Sequence, residues 1–223
     1  MGGTRLRHVA IVASGSLPPS RDPAAAVADA ARSAARLAED AFASVPGLQA
    51  FSFFAPAIGR LLNAPSGTAA ALRGCVEAAG ALGQAAARCG ATLRLCGRTE
   101  GLPAELAVLA APRPAAETAR TLAWFLSYGG RDEIVRAAAR FYREHPGAPL
   151  GDDDLDDCLD TAGLPDPDLI VLAGGPLEAP DALVWQGSYA ELWHTATPWA
   201  GFTAGELREA IADFHARQRR FGG

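Results

Sequence analysis

The feature that most constrains the fold is an alternation of short apolar segments with long alanine-rich segments along the chain. The short segments have the length and composition of buried strands, and the long ones place apolar side chains at helical spacing. Strands are predicted at HVAIVASGS (8–16, ending in a glycine turn), GLQAFSFF (47–54), ATLRLCG (91–97), DLIVLAGG (168–175) and ALVWQ (182–186). Helices are predicted over residues 23–43, 66–88, 114–126 and 203–220, with another that begins at Asp132-Glu133. This order predicts an α/β fold with a central, mostly parallel sheet flanked by helices.

Helix-terminal residues support these assignments. Pro23 stands where a helix tolerates proline, and Thr203 with Glu206 three residues later forms the pattern of a capping box. Asp132 and Glu133 carry the charge that a helix N-terminus favours. Because the chain shows no internal repeat and no linker, a single domain over residues 1–223 is expected.

Composition excludes several classes of function. The 223 residues have a formal net charge of −5, whereas a nucleic-acid-binding surface is normally basic, so no nucleic-acid partner is expected. No apolar run reaches the length of a transmembrane helix, so no transmembrane segment is expected. The four cysteines form no C-x-x-C pair, which argues against a zinc site and favours a reduced, cytoplasmic, soluble protein.

Five stretches, in one order along the chain, carry a more specific signal. They are HVAIV (8–12), YGGRDEIVRAA (128–138), TAGLPDPDLI (161–170), LVWQGSYAELW (183–193) and FTAGELREAIADFHARQRRFGG (202–223). Together they resemble the cis-prenyltransferase family of undecaprenyl diphosphate synthase-like enzymes. The resemblance implies the fold of that family with a hydrophobic tunnel, and a chemistry in which isoprenoid diphosphates are elongated with Mg²⁺.

Two loops depart from the family pattern. The family's first strand continues into D-G-N-G-R-W, whose aspartate handles diphosphate and magnesium and whose arginine grips diphosphate. Here the aspartate, glycine, asparagine and arginine positions hold Ser14, Gly15, Ser16 and Pro18. The family's next loop, roughly F-S-x-E-N-W-x-R, falls on residues 53–60, where Arg60 persists and the glutamate does not.

A third loop departs in the same direction. The family has R-T-S-G-E-x-R after its P-D-P-D-L strand, and here Leu172 and Glu178 stand at the arginine positions and Pro176 at the metal-binding glutamate. Transfer of an allylic diphosphate depends on fixed cations and metal. The resemblance therefore implies that this chain has no catalytic residues, binds no metal and does not elongate isoprenoids by itself.

The segment Arg220-Phe221-Gly222 matches an R-x-G motif. In two-component members of the family, a partner without catalytic residues supplies such a tail to the substrate site of the active subunit. The resemblance thus implies a non-catalytic subunit of a heteromeric cis-prenyltransferase, with Arg220 and Gly222 binding substrate in trans. Its partner would be an active, Mg²⁺-dependent homologue, in a heterodimer or larger assembly, and isoprenoid diphosphate is a possible ligand. A tail merely inherited from a homodimeric ancestor is the alternative.

The helix before this tail is predicted to anchor it. Leu207, Ile211 and Phe214 share one face of the segment 203–220 and are expected to lie at the subunit interface.

Other functions remain open on the sequence alone. The fold could have been converted to another isoprenoid reaction, such as terpenoid cyclisation, or to prenyl-lipid binding, and some transferase activity could persist. Asp156 and Asp160 match a D-D-x-x-D magnesium motif, but an acidic helix start with Leu155 and Leu159 facing the core is the favoured interpretation, with both carboxylates in solvent. His8 is interpreted as a hydrogen-bonded structural residue rather than a base.

Overall fold

The computed structural model of the chain describes residues 5–15, 17, 20–64, 68–110, 120–174 and 181–217. Within them six parallel strands form one sheet in the order β3-β4-β2-β1-β5-β6. The strands are β1 (His8–Ala13), β2 (Ala50–Phe54), β3 (Ala91–Cys96), β4 (Arg120–Phe125), β5 (Leu169–Ala173) and β6 (Glu191–Thr195). The predicted α/β class with a parallel sheet is confirmed, whereas the hydrophobic tunnel stays a prediction.

Seven helices connect and cover the strands in this part of the chain. They are α1 (Pro23–Ser44), α2 (Pro56–Leu62), α3 (Thr68–Arg88), α4 (Ala104–Ala107), α5 (Gly130–Glu144), α6 (Asp152–Cys158) and α7 (Ala204–Ala216). Short 3-10 turns lie at Val108–Ala110 and Trp199–Gly201. The predicted helix ends hold at α1, where Pro23 starts the helix, and at α7, where Thr203 and Glu206 form the capping box.

The sheet separates two apolar layers. Alternate residues of the central strands, such as Val9, Ile11 and Phe53, face the larger core together with α1, α3 and α7. The intervening residues, such as Val12 and Leu172, face a smaller core on the opposite side. Because strands covered on both faces have no polar side, their sequences read as continuous apolar runs.

Helices α1 and α3 lie against each other through small side chains. Their buried faces are rich in alanine, and Gly74 of α3 is fully enclosed. A Cβ atom on Gly74 would lie 2.6 Å from the backbone oxygen of Ala24. The absence of side-chain bulk is thus what allows the two backbones to approach so closely.

The start of the central strand β1 is held by Asp168, which lies 160 residues further along the chain than His8. The carboxylate of Asp168 accepts hydrogen bonds from the backbone N–H groups of Arg7, at 2.7 Å, and His8, at 3.2 Å. The N–H of Asp168 in turn donates to the carbonyl of His8 at 3.0 Å. This clasp sets the register in which β1 pairs with β5.

The structure corrects three element assignments. The helix predicted over residues 114–126 is wrong in its described part, where Arg120–Phe125 form β4 beside β2 and β3. The strand predicted over residues 182–186 is a series of turns in which Leu183 has a positive φ of 52°. The last strand lies further along, at β6, and the predicted loop over residues 53–60 contains the start of α2.

The prediction that the apolar face of α7 lies at a subunit interface is also wrong. Leu207, Ile211 and Phe214 are at most 9% exposed and belong to the larger core of this chain. They stabilise the domain itself, so any interface formed by α7 must use other residues.

None of the helices among the described residues is long and apolar enough to cross a membrane.

Candidate functional site

The carboxyl ends of the parallel strands gather the residues that the sequence singles out. In open α/β sheets, ligands bind in the crevice outside these ends. Ser14 and Gly15 follow β1, Leu172 lies near the end of β5, and Arg60 lies on α2 just after β2. The predicted site positions of β1, β2 and β5 are therefore on three neighbouring strands of the sheet.

The described residues at the ends of β1 and β5 carry no charged side chain. Ser14 extends β1 by donating its N–H to the carbonyl of Ala173 at 2.9 Å, and Gly15 turns the chain with a φ of 88°. Leu172 is 3% exposed and packs in the smaller core. Neither strand end, in its described residues, presents a carboxylate or a guanidinium to the crevice.

Arg60 is present, but it is bound to its own chain. Pro56 begins α2, and one turn later the Arg60 guanidinium donates to the carbonyl oxygen of Gly15 at 3.0 Å. This bond joins the loop after β1 to the helix after β2. A cavity of about 380 Å³ lies beside it, lined among others by Phe54, Arg60, Asn63, Arg98, Tyr128 and Asp132.

Arg98, the second arginine that lines this cavity, belongs to an ion network. Arg98 donates two bonds to the Asp132 carboxylate, at 2.5 and 3.1 Å, and Arg136 donates a third at 2.8 Å. The Arg98 guanidinium holds the pKa of the Asp132 carboxyl below its usual range. Arg136 also forms a two-bond pair with Asp160, at 2.6 and 3.0 Å, so the network runs from α5 to the segment after α6.

A buried carboxylate lies below this network. Glu133 is 1% exposed and accepts hydrogen bonds from the Tyr128 hydroxyl at 2.5 Å, from the Gln186 amide at 2.9 Å and from the Asp160 N–H at 2.8 Å. Burial raises the pKa of Glu133, and burial beside Glu133 raises the pKa of Tyr128. Three donors on one carboxylate fix the start of α5 relative to the turns around Gln186.

Sequence reasoning missed the roles of two residues. The sequence assigns Glu133 only a charge that suits the helix N-terminus, whereas the structure shows its carboxylate buried and bonded to three donors. Arg98, which lines the cavity, was not singled out. The available signals were Tyr128 five residues before Glu133, and the position of Arg98 just after a predicted strand.

The interpretation of His8 as a hydrogen-bonded residue is confirmed. Its Nδ1 lies 2.7 Å from the carbonyl of Pro165, and its Nε2 lies 2.7 Å from the Ser52 hydroxyl. Burial lowers the pKa of His8 to about 4. The ring therefore joins β1, β2 and the turn before β5.

The D-D-x-x-D motif does not form a carboxylate pair in this structure. Leu155 and Leu159 are buried, as expected for an acidic helix start. Asp156 is exposed and accepts from the Trp185 indole at 2.5 Å. The expectation that Asp160 faces solvent is wrong, because its side chain is 9% exposed and paired with Arg136.

Magnesium prefers carboxylate and other oxygen ligands, and the residues at the family positions fit it poorly. Ser14 and Leu172 supply no carboxylate, and in the described part of the chain no three His, Cys, Asp or Glu side chains form a metal-binding group. Ser16, Pro18, Pro176, Glu178, Arg220 and Gly222 lie outside the described residues, so the predictions on them remain predictions.

Comparison with known proteins gives one consistent result. A family model described as "Putative undecaprenyl diphosphate synthase" matches residues 67–222. The chain is 46% identical over 98 residues to the "Isoprenyl transferase" of Wolinella succinogenes, covering 44% of this chain and 42% of the relative. It is 38% identical over 143 residues to the "Isoprenyl transferase" of Heliobacterium mobile, covering 60% and 55% respectively. These alignments thus span about half the length of the curated relatives.

A solved structure extends the similarity to the whole fold. The crystal structure of a "probable undecaprenyl diphosphate synthase" from Campylobacter jejuni covers 99% of this chain and 100% of its own, with a TM-score of 0.69. The sequence identity is 23%, so this likeness concerns the fold.

Proposed function

Because this chain belongs to the undecaprenyl diphosphate synthase family, we propose that it acts as a non-catalytic subunit of a heteromeric cis-prenyltransferase. It would support an active homologue and supply Arg220 and Gly222 to the substrate site of that homologue. In this proposal the Mg²⁺ and the reacting isoprenoid diphosphates belong to the active partner.

The observation that carries the proposal is the chemistry at the carboxyl ends of β1 and β5. Elongation requires charge stabilisation of a departing diphosphate, by metal and by fixed cations. Ser14 replaces the expected carboxylate, Leu172 is packed in the core, and Arg60 is bonded to Gly15. Arg60 is therefore the one family cation retained among these described positions, and one of its N–H groups is already used to hold the loop after β1.

A converted enzyme is the less favoured alternative. Terpenoid cyclisation in this fold would need a metal-binding or acidic group of its own. The Asp156 and Asp160 carboxylates are engaged by Trp185 and Arg136 respectively, which separates their roles. These two carboxylates, the candidate ligands of a relocated metal site, are therefore already bonded to other side chains of the domain.

The proposal assigns a specific task to Arg220 and Gly222. An arginine and a backbone N–H are good ligands for a diphosphate oxygen. Helix α7 ends at Ala216, and Arg217, the last described residue, is bonded to Asp213 and to Glu191 at the start of the edge strand β6. A tail that starts from the sheet edge is suitably placed to reach a neighbouring subunit.

The test is a truncation of residues 220–223, measured in a mixed complex with a full-motif homologue from the same host. Assembly, followed by pull-down, should be retained. Prenyl transfer by the complex should fall about ten- to a hundredfold, as expected for the loss of one charge-assisted contact. Arg220→Ala should reproduce this loss, and the adjacent Arg219→Ala serves as the control of equal charge.

Two results would contradict the proposal. The first is full activity of the truncated complex. The second is a chain that forms homodimers and does not associate with the homologue; the converted enzyme would then become the favoured function.

A further inference from the structure

A second cavity lies on the β3 side of the sheet, away from the ends of β1 and β5. Its volume is about 480 Å³, within the range of small-molecule sites. It lies between β3, α5 and the segment that follows α6. Four arginine side chains line it: Arg94, Arg98, Arg136 and Arg140.

Two of these arginines are neutralised by carboxylates. Arg136 forms its two-bond pair with Asp160, and Arg98 forms one with Asp132. Both guanidinium groups are therefore part of the ion network that connects α5 to its surroundings.

The other two arginines bind mainly backbone oxygens. Arg94 donates to the carbonyls of Ala162, at 2.6 Å, and Asp160, at 2.7 Å. Arg140 donates to the carbonyl of Cys158 at 3.0 Å, and the nearest Asp160 oxygen is 4.0 Å away. Two guanidinium groups, one from β3 and one from α5, thus converge on the segment 158–162. Among the described residues, Arg140 has only the long ion pair with Asp160, and Arg94 has none.

One donor of this pair is left without an acceptor. The Nε–H group of Arg94 is buried and has no hydrogen-bond partner in the described part of the chain. A buried donor without an acceptor is unfavourable, and more so when the group is charged. This donor is enclosed, so an oxygen acceptor in the cavity reaches it only with a shift of the Arg94 side chain, and an anionic acceptor would stabilise that shift most.

We propose that this cavity binds a small molecule through one anionic group, a carboxylate or a phosphate, held by Arg94 and Arg140. Guanidinium groups suit such oxygens because their N–H groups form a planar fork. The proposal does not depend on the subunit function, because the cavity uses residues outside the loops after β1 and β5.

The charges at the edge of the cavity restrict the charge that the rest of the ligand can carry. Glu100, Glu144 and Asp157 are exposed and line the same cavity. Their negative charges disfavour a second anionic group near the opening. The ligand class is therefore a molecule with one anionic group and a neutral or cationic remainder.

The test is a titration of the isotope-labelled full chain by NMR, with inorganic phosphate in one arm and acetate in the other. The Nε–H signal of Arg94 and the backbone amides of residues 158–162 should shift in a saturable manner in at least one arm. The arm that saturates identifies the source of the anionic group.

Variants on one helix supply the controls. Arg140→Gln should weaken binding at least tenfold, whereas Arg143→Gln, an exposed residue of α5 that does not line the cavity, should leave it unchanged. Glu144→Gln should tighten binding a fewfold, because it removes a negative charge from the edge.

Three results would overturn the proposal: no saturable shift in either arm, equal weakening by Arg140→Gln and Arg143→Gln, or no gain of affinity in Glu144→Gln. Circular dichroism verifies that each variant is folded. If Arg140→Gln does not fold, the direction of the Glu144→Gln effect decides the question.

Discussion

Ser14 directly follows the central strand β1, at the place where the family pattern has a metal-handling aspartate. We expect Ser14→Asp alone to yield no prenyl transfer by the purified chain. The loop after β5 would still lack its arginines and glutamate, and catalytic groups that act as a unit are not recovered singly. A radiolabelled prenyl-transfer assay with Mg²⁺ measures this, and product above background would show that prenyl transfer does not require the charged groups missing from the other two loops.

His8 makes the stability of the chain depend on pH. Its pKa is lowered to about 4 in the folded state, mainly by burial, while the unfolded chain keeps a value near 6.5. Unfolded molecules therefore take up the proton first as the pH falls. The free energy of unfolding should be highest above pH 6.5 and should fall by roughly 3 kcal/mol between pH 6.5 and 4 on account of this residue.

Chemical denaturation across that pH range, compared with two variants, tests this expectation. His8→Gln removes the titrating ring and should make the free energy of unfolding depend less on pH. Ser52→Ala removes the 2.7 Å partner of Nε2 but leaves the ring buried, so the dependence should persist. Equal slopes in the wild type and in His8→Gln would contradict the assignment.

Sequence reasoning at the scale of residues succeeded where local chemistry decides and failed where tertiary burial decides. The Thr203 and Glu206 capping box depends on residues three positions apart, and it was predictable. The burial of Glu133 and the pairing of Asp160 with Arg136 depend on α5 meeting the segment after α6, which no local pattern encodes.

Helices α1 and α3 provide a matched pair of substitutions at the scale of elements. Gly74→Ala should lower the free energy of unfolding by about 1–3 kcal/mol, because its Cβ would lie 2.6 Å from the Ala24 oxygen. Gly80→Ala, on the exposed side of the same helix, has nothing within 4 Å of its Cβ and should raise it by up to about 1 kcal/mol.

Urea denaturation of both variants measures the pair. A destabilised Gly80→Ala would show that exposed helix propensity is not the governing factor. A neutral Gly74→Ala would show that the two backbones can separate without loss.

The errors in element assignment have physical causes. Residues 122–125 of β4 are apolar and buried on both faces of the sheet, so they lack the alternation that distinguishes a strand from a helix. Ala182 and Leu183 are apolar because they cover the smaller core from a turn, and Trp185 packs on a separate cluster, so the segment has the composition of a strand without being one. β6 is an edge strand in which half-buried and exposed residues alternate, which leaves only a weak apolar signal.

The whole molecule shares one sheet, and its larger core receives side chains from most of the described elements. We propose that residues 1–223 form a single domain and expect one cooperative thermal transition. Trp124 and Trp199 are buried in the larger core, and Trp185 packs against a separate cluster around Phe141. Tryptophan fluorescence and far-ultraviolet circular dichroism should therefore give the same midpoint, and two separate midpoints would indicate independent units.

The clasp between Asp168 and the start of β1 has a consequence for synthesis. The hydrogen bond from the His8 N–H to Asp168 joins positions 160 residues apart. Strand β1 pairs with β2 along one edge and with β5 along the other. A ribosome must therefore make the chain as far as β5 before β1 can be paired on both of its edges. Parallel sheets with such distant pairings fold slowly, because a long loop must close before its contacts form. Until β5 has been synthesised, one edge of the apolar strand β1 stays unpaired. We therefore expect chaperones that bind nascent chains to bind this strand.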